Sequence, residues 1–128
     1  MSELIRVMYV EDEPDIRAIA KLALEAVGGL EVHLCERGDD ALAEAALFAP
    51  QLILLDVMMP GMDGPSTLKA LRAHNELGTI PVAFMTAKVQ PQEIEYFRSL
   101  GAIGVIAKPF DPMTLADQVR GLWRQTAE

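Results

Sequence analysis

A regular alternation of short apolar runs and helical segments constrains the fold more than any other feature of this sequence. The apolar runs occur at residues 4–10, 31–35, 52–56, 81–86 and 104–107. Each is followed by a segment with helical spacing, and the connections are too long for β-hairpins. Such alternation is typical of a parallel sheet with helices on both faces, and right-handed crossovers make the sheet doubly wound. We therefore predict one α/β domain over residues 1–128, a (βα)5 sandwich with a five-stranded parallel sheet.

Proline, glycine and capping residues mark the ends of the helical segments. Pro14 opens the first segment, and Gly28 and Gly29 close it. Asp111, which precedes a proline, is predicted to cap the last helix, and this helix runs to Trp123. The three middle segments begin at Gly38, Gly64 and Pro91.

Composition narrows the class of protein. The formal net charge of −8 disfavours binding to nucleic acid or to an anionic membrane surface. No apolar run is long enough to span a membrane and no signal peptide is visible, so we expect a cytoplasmic protein. The single cysteine, Cys35, excludes an internal disulfide and is expected to be a small buried hydrophobe. His33 and His74 lack metal-ligand spacing and are interpreted as incidental.

Four of the five apolar runs lead into residues with useful chemistry. Glu11 and Asp12 follow the first run, Asp56 ends the third, Thr86 ends the fourth, and Lys108 follows the fifth. In a parallel sheet these ends share one edge, where ligands bind. With the flavodoxin-like strand order 2-1-3-4-5, the first and third strands are neighbours at the switch point. We therefore expect the three carboxylates to lie together, with the threonine and the lysine beside them.

These residue types fit phosphoryl chemistry. Clustered carboxylates repel one another, and Mg²⁺, which prefers oxygen ligands, relieves that repulsion. An ionised aspartate can act as a nucleophile, while lysine and threonine can bind phosphoryl oxygens. Taken singly, Asp56 also fits a turn former, Thr86 a strand-end hydroxyl and Lys108 a solvated surface charge. Their occurrence at matching strand ends favours one joint site.

The motifs at these strand ends are specific in combination. They are VEDE at residues 10–13, LLDVMMPGMDG at 54–64, MTA at 85–87 and KPF at 108–110. Together they resemble the receiver domain of two-component response regulators, and the resemblance covers essentially the whole chain. It implies that Asp56 accepts a phosphoryl group from a phosphohistidine. The donor would be a sensor histidine kinase or a histidine phosphotransfer protein.

The same resemblance implies a Mg²⁺ site and roles for the residues around the acceptor. Asp12, Asp56 and the main-chain carbonyl of Met58 would bind Mg²⁺ directly, and Glu11 would act largely through water. Lys108 would pair with the acceptor carboxylate and then with its phosphoryl group. Thr86, in the motif that includes Ala87, would donate a hydrogen bond to the phosphoryl group. The peptide bond before Pro109 would be cis.

Three positions call for their own chemical interpretation. Val105 stands three residues before Lys108, where the family often has an aromatic side chain that turns inward on activation. Any switch is therefore expected in the loop and helix after the fourth strand, where Tyr96 and Phe97 lie. Met58 and Lys88 are expected to flank the entrance to the site. Because Met58 cannot orient water by hydrogen bonding, we predict slow to moderate self-dephosphorylation.

Output is expected to rest on protein–protein contacts. No output domain follows the last helix, which predicts a stand-alone receiver that is a monomer or a weak dimer. The regulated surface is expected on the fourth helix, fifth strand and fifth helix. Kinase docking is expected on the first helix, near Ile16 and Ile19.

Four alternatives stay open. The chain could pass its phosphoryl group to a second histidine in a phosphorelay. A haloacid-dehalogenase-like phosphatase needs a second aspartate two residues after the nucleophile, where this chain has Met58. A flavin mononucleotide binder needs a glycine- and hydroxyl-rich loop instead of the acidic residues 11–13. An interaction module that is never phosphorylated would not need Asp12, Asp56, Thr86 and Lys108.

Overall fold

The fold is the predicted α/β sandwich, described here from a computed structural model. The structure describes residues 3–126, so the ends of the predicted domain span, 1–2 and 127–128, lie outside the described residues. In chain order the elements are β1 Arg6–Val10, α1 Pro14–Lys21, a π-helical turn Leu22–Val27, β2 Glu31–Cys35, α2 Gly38–Phe48, β3 Leu52–Asp56, α3 Gly64–Ala73, β4 Val82–Thr86, α4 Pro91–Ser99, β5 Gly104–Ala107 and α5 Leu115–Gln125.

The five strands form one parallel sheet in the order β2-β1-β3-β4-β5, which confirms the predicted topology. The register sets Val10 of β1 opposite Leu55 of β3, and Asp56 opposite Met85 of β4. The carboxyl ends of β1, β3 and β4 therefore finish almost level with one another. The residues that follow these ends are brought to a single edge of the sheet.

The central strand β3 is covered on both faces. Leu52 and Leu54 pack with α1 and α5, while Ile53 and Leu55 pack with α2, α3 and α4. This explains why its sequence is continuously apolar instead of alternating. All four side chains are fully buried, and each contributes about 1.5–3 kcal/mol of hydrophobic stabilisation. Their packing gives Asp56 a rigid base.

The helix boundaries differ from the prediction in the first helical segment and at both ends of the last helix, which ends at Gln125 instead of Trp123. The first helical segment changes to a π-helical turn at Leu22–Val27, where the consecutive residues Ala23 and Leu24 are both fully buried. The prediction that Asp111 caps the last helix was wrong, because α5 begins at Leu115. The Asp111 carboxylate instead accepts a hydrogen bond from the Met113 backbone N–H at 2.9 Å. Asp111 thus organises a separate turn that precedes the helix.

Two further structural facts bear on the sequence analysis. The Lys108–Pro109 peptide bond is cis. Across residues 3–126, no helix combines the length and apolar character needed to cross a membrane.

Candidate functional site

Three carboxylates meet where β1 and β3 end. Side-chain oxygens of Glu11, Asp12 and Asp56 lie within 4.8 Å of one another. The first two follow β1 directly, and Asp56 is the last residue of the neighbouring strand β3. Adjacent parallel strands that end level with one another produce this juxtaposition. The structure thus brings together the carboxylates that the sequence places at these strand ends.

Asp56 is the most constrained of the three. Asp56 is 5% exposed, and its Oδ1 accepts a hydrogen bond from the Lys108 ammonium at 3.1 Å. Burial, reinforced by the negative charge of Glu11, raises the pKa of Asp56 to about 6, although Lys108 partly opposes this rise. A further positive charge beside Asp56 would therefore stabilise the ionised form of its carboxyl group.

Glu11 is completely buried and accepts three hydrogen bonds. The donors are the Lys108 ammonium at 2.7 Å, the Tyr9 hydroxyl at 3.2 Å and the Glu13 backbone N–H at 3.3 Å. Lys108 is therefore closer to Glu11 than to Asp56. The resemblance predicts a contact between Lys108 and Asp56 alone, so the contact with Glu11 is an addition to that prediction.

Lys108 connects the two buried carboxylates. Burial alone lowers the pKa of Lys108, but hydrogen bonds and charges from Glu11 and Asp56 outweigh that effect and raise it. The ammonium is therefore charged, and its side chain is 17% exposed. Its backbone N–H donates to the Thr86 carbonyl at 2.9 Å, which fixes the chain beyond β5 to the end of β4. The Lys108 ammonium thus contacts a carboxylate at the end of β1 and another at the end of β3.

Tyr9 is a site residue that the sequence analysis does not identify. It lies inside β1 and is fully buried, with its hydroxyl directed at Glu11. Burial and the adjacent negative charge of Glu11 raise the pKa of the tyrosine hydroxyl, so it remains a hydrogen-bond donor. The signal in the sequence is the strand period of two, which puts residues 9 and 11 on the same side of the strand.

Thr86 ends β4 on the opposite side of Asp56 from β1. It is 6% exposed, and its hydroxyl oxygen accepts a hydrogen bond from the Lys88 backbone N–H at 3.0 Å. A cleft of about 180 Å³ opens between Thr86, Asp56 and Lys108, and Met58 and Ala87 also line it. The threonine hydroxyl therefore borders the same space as the Asp56 carboxylate.

The loop after β3 approaches the site too closely for a side chain at Gly64. A Cβ atom there would lie 2.6 Å from the Asp56 carbonyl oxygen and 2.9 Å from the Val57 Cα. The Asp63 carboxylate caps α3 by accepting a hydrogen bond from the Ser66 backbone N–H at 2.8 Å. These contacts explain the aspartate at position 63 and the glycine at position 64.

The residues that line the cleft differ in chemistry and include the carboxylate of Glu13 and the thioether of Met58. Met58 is 79% exposed, and Lys88 is exposed on the far side of the cleft. A groove of about 410 Å³ runs from these residues along α4 and reaches Tyr96, which is 55% exposed. Val105 is half-buried on β5 and packs against the core beneath α2, α3 and α4. It fills less space than the aromatic residue often found at its position.

A second polar cluster lies on the edge strand β2, whose last residue, Cys35, accepts a hydrogen bond on its carbonyl from the Glu11 backbone N–H at 2.9 Å. His33, Cys35 and Glu44 have donor atoms within 4.8 Å of one another. The sequence analysis interprets His33 as incidental and Cys35 as a buried hydrophobe. Cys35 is indeed buried, but the structure places it beside two polar ligands. The available signal is the spacing of residues 33 and 35, which puts both on one face of β2.

The first cluster suits a hard divalent cation. Its donors are carboxylate oxygens, which Mg²⁺ prefers, and burial together with the negative charge of Glu11 raises the pKa of Asp56, so a cation beside it would stabilise the ionised form. Lys108 supplies one positive charge on one side only. The donor set and the electrostatics therefore both fit such an ion between Asp12 and Asp56.

Comparisons of sequence support one family. Residues 7–120 match the family model of the response regulator receiver domain. The response regulator Rre1 of Synechocystis sp. is 33% identical over 122 residues, which cover 95% of this chain and 53% of that protein. The probable transcriptional regulator ycf27 of Cyanophora paradoxa is 35% identical over 121 residues, covering 94% of this chain and 49% of that protein. The chain spans about half the length of the curated relatives it matches.

Solved structures agree with the sequence comparisons. Chemotaxis protein CheY4 of Vibrio cholerae superposes with a TM-score of 0.84 at 30% identity, covering 93% of this chain and 98% of that one. A signal receiver domain of a histidine kinase from Syntrophus aciditrophicus gives a TM-score of 0.78 at 32% identity, covering 94% and 90%. With its strand order and its acidic cluster, the chain belongs to the response regulator receiver domains, the signalling domains of two-component systems.

Proposed function

We propose that Asp56 is the phosphoacceptor of this receiver domain. The observation that carries the proposal is a buried carboxylate at the end of β3 with the Lys108 ammonium 3.1 Å away and two further carboxylates beside it. An ionised carboxylate needs no general base to attack phosphorus. A P–O bond forms to Asp56 as the P–N bond of a phosphohistidine breaks, and the departing imidazole keeps the electron pair.

Mg²⁺ is the proposed cofactor, held by Asp12, Asp56 and the main-chain carbonyl of Met58, with Glu11 near by. When bound, the ion neutralises charge on the phosphoryl oxygens. Glu11 has a second role, because it accepts hydrogen bonds from Lys108 and Tyr9. Those contacts hold the lysine at the edge of the site, within reach of Asp56.

Lys108 and Thr86 are proposed to bind the phosphoryl group after transfer. The lysine ammonium already contacts the acceptor oxygen. The threonine hydroxyl borders the cleft above Asp56 and can donate to a phosphoryl oxygen. Phosphorylation would therefore draw Thr86 and the adjoining residue Ala87 toward Asp56.

The structural change is proposed to travel through the β4–α4 loop and α4 rather than through Val105. The groove beside Thr86 is lined by Tyr96 and Phe97, and the Phe97 ring packs on Phe84 of β4 with centroids 5.0 Å apart. Tyr96 stacks against Phe97 at 5.5 Å and is half in solvent. Hydrogen exchange of residues 87–97 is expected to change on phosphorylation. Identical exchange in both forms would contradict this route.

The partners are proposed to be a histidine kinase or phosphotransfer protein as donor, and a protein target for output. Ile16 and Ile19 of α1 line a cleft of about 160 Å³ beside Lys108 and Pro109, and this apolar surface next to the proposed acceptor supports docking of the donor on α1. The regulated surface is proposed on α4, β5 and α5. The name of one relative, the transcriptional regulator RpaA of Synechocystis sp., describes that protein as DNA-binding. The match to this chain covers 50% of that protein.

Phosphotransfer profiling tests this proposal. Wild type and Asp56→Asn are incubated with each autophosphorylated histidine kinase of the encoding organism in the presence of Mg²⁺. Transfer to the wild type from at least one kinase, with none to the variant, is expected. Ile19→Glu on α1 serves as the docking variant and should slow transfer from the kinase. Absence of transfer to the wild type from every donor would contradict the proposed function.

A further inference from the structure

The cluster of His33, Cys35 and Glu44 has the composition of a transition-metal site. The His33 Nε2 lies 2.5 Å from the Glu44 Oε1, and the Cys35 Sγ lies 3.9 Å from the same oxygen. Tetrahedral zinc has bonds of about 2.0 Å to nitrogen and oxygen and about 2.3 Å to sulfur, so its ligands sit roughly 3.3–3.6 Å apart. A bound zinc ion would therefore push the His33 Nε2 and the Glu44 Oε1, now in direct contact, apart and draw the Cys35 Sγ closer to that oxygen.

Two secondary-structure elements fix the three side chains. His33 and Cys35 project from the same face of β2, and Glu44 faces them from α2. The imidazole of His33 packs on the Phe48 ring at 5.2 Å between centroids, and the Arg6 guanidinium covers that ring at 4.4 Å. These contacts orient the imidazole. The imidazole is therefore oriented by packing, and Glu44 faces it from the neighbouring helix.

The site is accessible from solvent although its sulfur is buried. β2 is an edge strand, and the side chains of His33 and Glu44 are 36% and 43% exposed. Solvent water can therefore complete a four-coordinate shell.

We propose that His33, Cys35 and Glu44 bind a zinc-class divalent cation, at a site separate from the acidic cluster around Asp56. Nitrogen and sulfur donors select such metals, whereas the carboxylates at the acidic cluster suit Mg²⁺. Binding replaces the S–H bond of Cys35 with an S–metal bond and releases one proton to the solution. The proposal is independent of phosphorylation.

The protonation of Cys35 sets how this binding depends on pH. Burial, together with the charges of Glu44 and Asp40, raises the pKa of the thiol to about 12. The metal must therefore displace a proton at neutral pH. Apparent affinity is expected to increase about tenfold for each pH unit, as for any metal that displaces one proton.

Cobalt(II), a spectroscopic substitute for zinc, provides the test. The full chain is titrated in a non-thiol reductant with excess Mg²⁺, which occupies the acidic cluster. We expect thiolate-to-cobalt charge-transfer absorption that saturates at one equivalent and disappears when zinc is added. Release of one proton per metal, measured by calorimetry in buffers of different ionisation enthalpy, is the second readout.

Substitutions separate this site from a simple His–Glu ion pair. Cys35→Ser should abolish the charge-transfer band, and His33→Gln and Glu44→Gln should each weaken cobalt binding at least tenfold. His74→Gln and Asp56→Asn are matched controls that should retain the band and the affinity. Circular dichroism verifies that each variant is folded. No thiolate absorption at saturating cobalt, or a band that persists in Cys35→Ser, would overturn the proposal.

Discussion

At the scale of single residues, the surroundings of Asp56 disfavour the ionised form of its carboxyl group. Burial and Glu11 raise its pKa from 3.8 to about 6. Between these two pH values the folded protein retains a proton that the unfolded chain has released, so wild-type stability falls as pH rises through that window. Without Mg²⁺, Asp56→Asn is therefore expected to have a higher free energy of unfolding above pH 6, by about 1–3 kcal/mol. Urea unfolding at several pH values measures the difference.

The same experiment carries its own controls. The advantage of Asp56→Asn should vanish below pH 4, where the wild-type carboxyl is protonated, and Mg²⁺ should stabilise the wild type more than the variant. Asp117→Asn alters an exposed aspartate in the first turn of α5 and should not reproduce the stabilisation. Parallel pH profiles for the wild type and Asp56→Asn would contradict the electrostatic account of the site.

Met58 is the residue that we expect to govern the lifetime of the phosphorylated form. It is 79% exposed at the mouth of the cleft and cannot align an attacking water by hydrogen bonding. Met58→Asn places a donor and an acceptor there, so the decay of the phosphorylated protein should become several-fold faster. Decay is followed by intact mass after the phosphodonor is removed. Leu47→Asn, on the exposed face of α2, is a control for loss of surface apolarity, and unchanged decay in Met58→Asn would eliminate this role.

At the scale of elements, the start of α3 is packed against the end of β3. A Cβ atom on Gly64 would lie 2.6 Å from the Asp56 carbonyl oxygen, which is backbone and cannot rotate away. Gly64→Ala is therefore expected to destabilise the protein by about 1–3 kcal/mol and to slow phosphorylation by displacing the acceptor. Thermal unfolding and the rate of phosphorylation measure the two effects.

Gly121 provides the matched control for that substitution. It lies inside α5, and nothing stands within 4 Å of a Cβ atom built there. Gly121→Ala should stabilise the protein by about 0.5–1 kcal/mol, because alanine is the better helix former. Equal effects of the two substitutions would show that crowding at Gly64 does not position the acceptor.

The strands could be predicted more closely than the helices, for a physical reason. A buried parallel strand is a continuous apolar run, and β2, β3 and β5 begin and end where the sequence indicates. Helix boundaries depend on which of several competing local hydrogen bonds forms. Asp111 has the chemistry of a helix cap, yet its carboxylate binds the Met113 N–H in a turn, and α5 starts at Leu115. The π-helical turn at Leu22–Val27 has no sequence signal of this kind.

At the scale of the whole molecule, the strand order decides which residues can meet. Order and parallel direction were enough to gather Glu11, Asp12 and Asp56 at one edge. They were not enough to predict how Lys108, 97 residues from Glu11, divides its hydrogen bonds between two carboxylates. That choice depends on side-chain distances of a few tenths of an ångström, which spacing along the chain does not encode.

The cluster at His33 illustrates the same limit. The two ligands on β2 follow from the strand period, but Glu44 joins them only because α2 packs across that face. The spacing of residues within one segment therefore does not reveal this cluster. Long-range packing assembles this cluster and the acidic cluster alike.

Intact mass spectrometry shows whether Asp56 itself is phosphorylated. Wild type and Asp56→Asn are treated with Mg²⁺ and acetyl phosphate, a small phosphodonor that needs no kinase. The wild type is expected to gain the mass of one phosphoryl group, chelation of Mg²⁺ to prevent the gain, and Asp56→Asn to gain nothing. An unmodified wild type, or equal modification of the variant, would contradict the proposal that Asp56 is the phosphoacceptor.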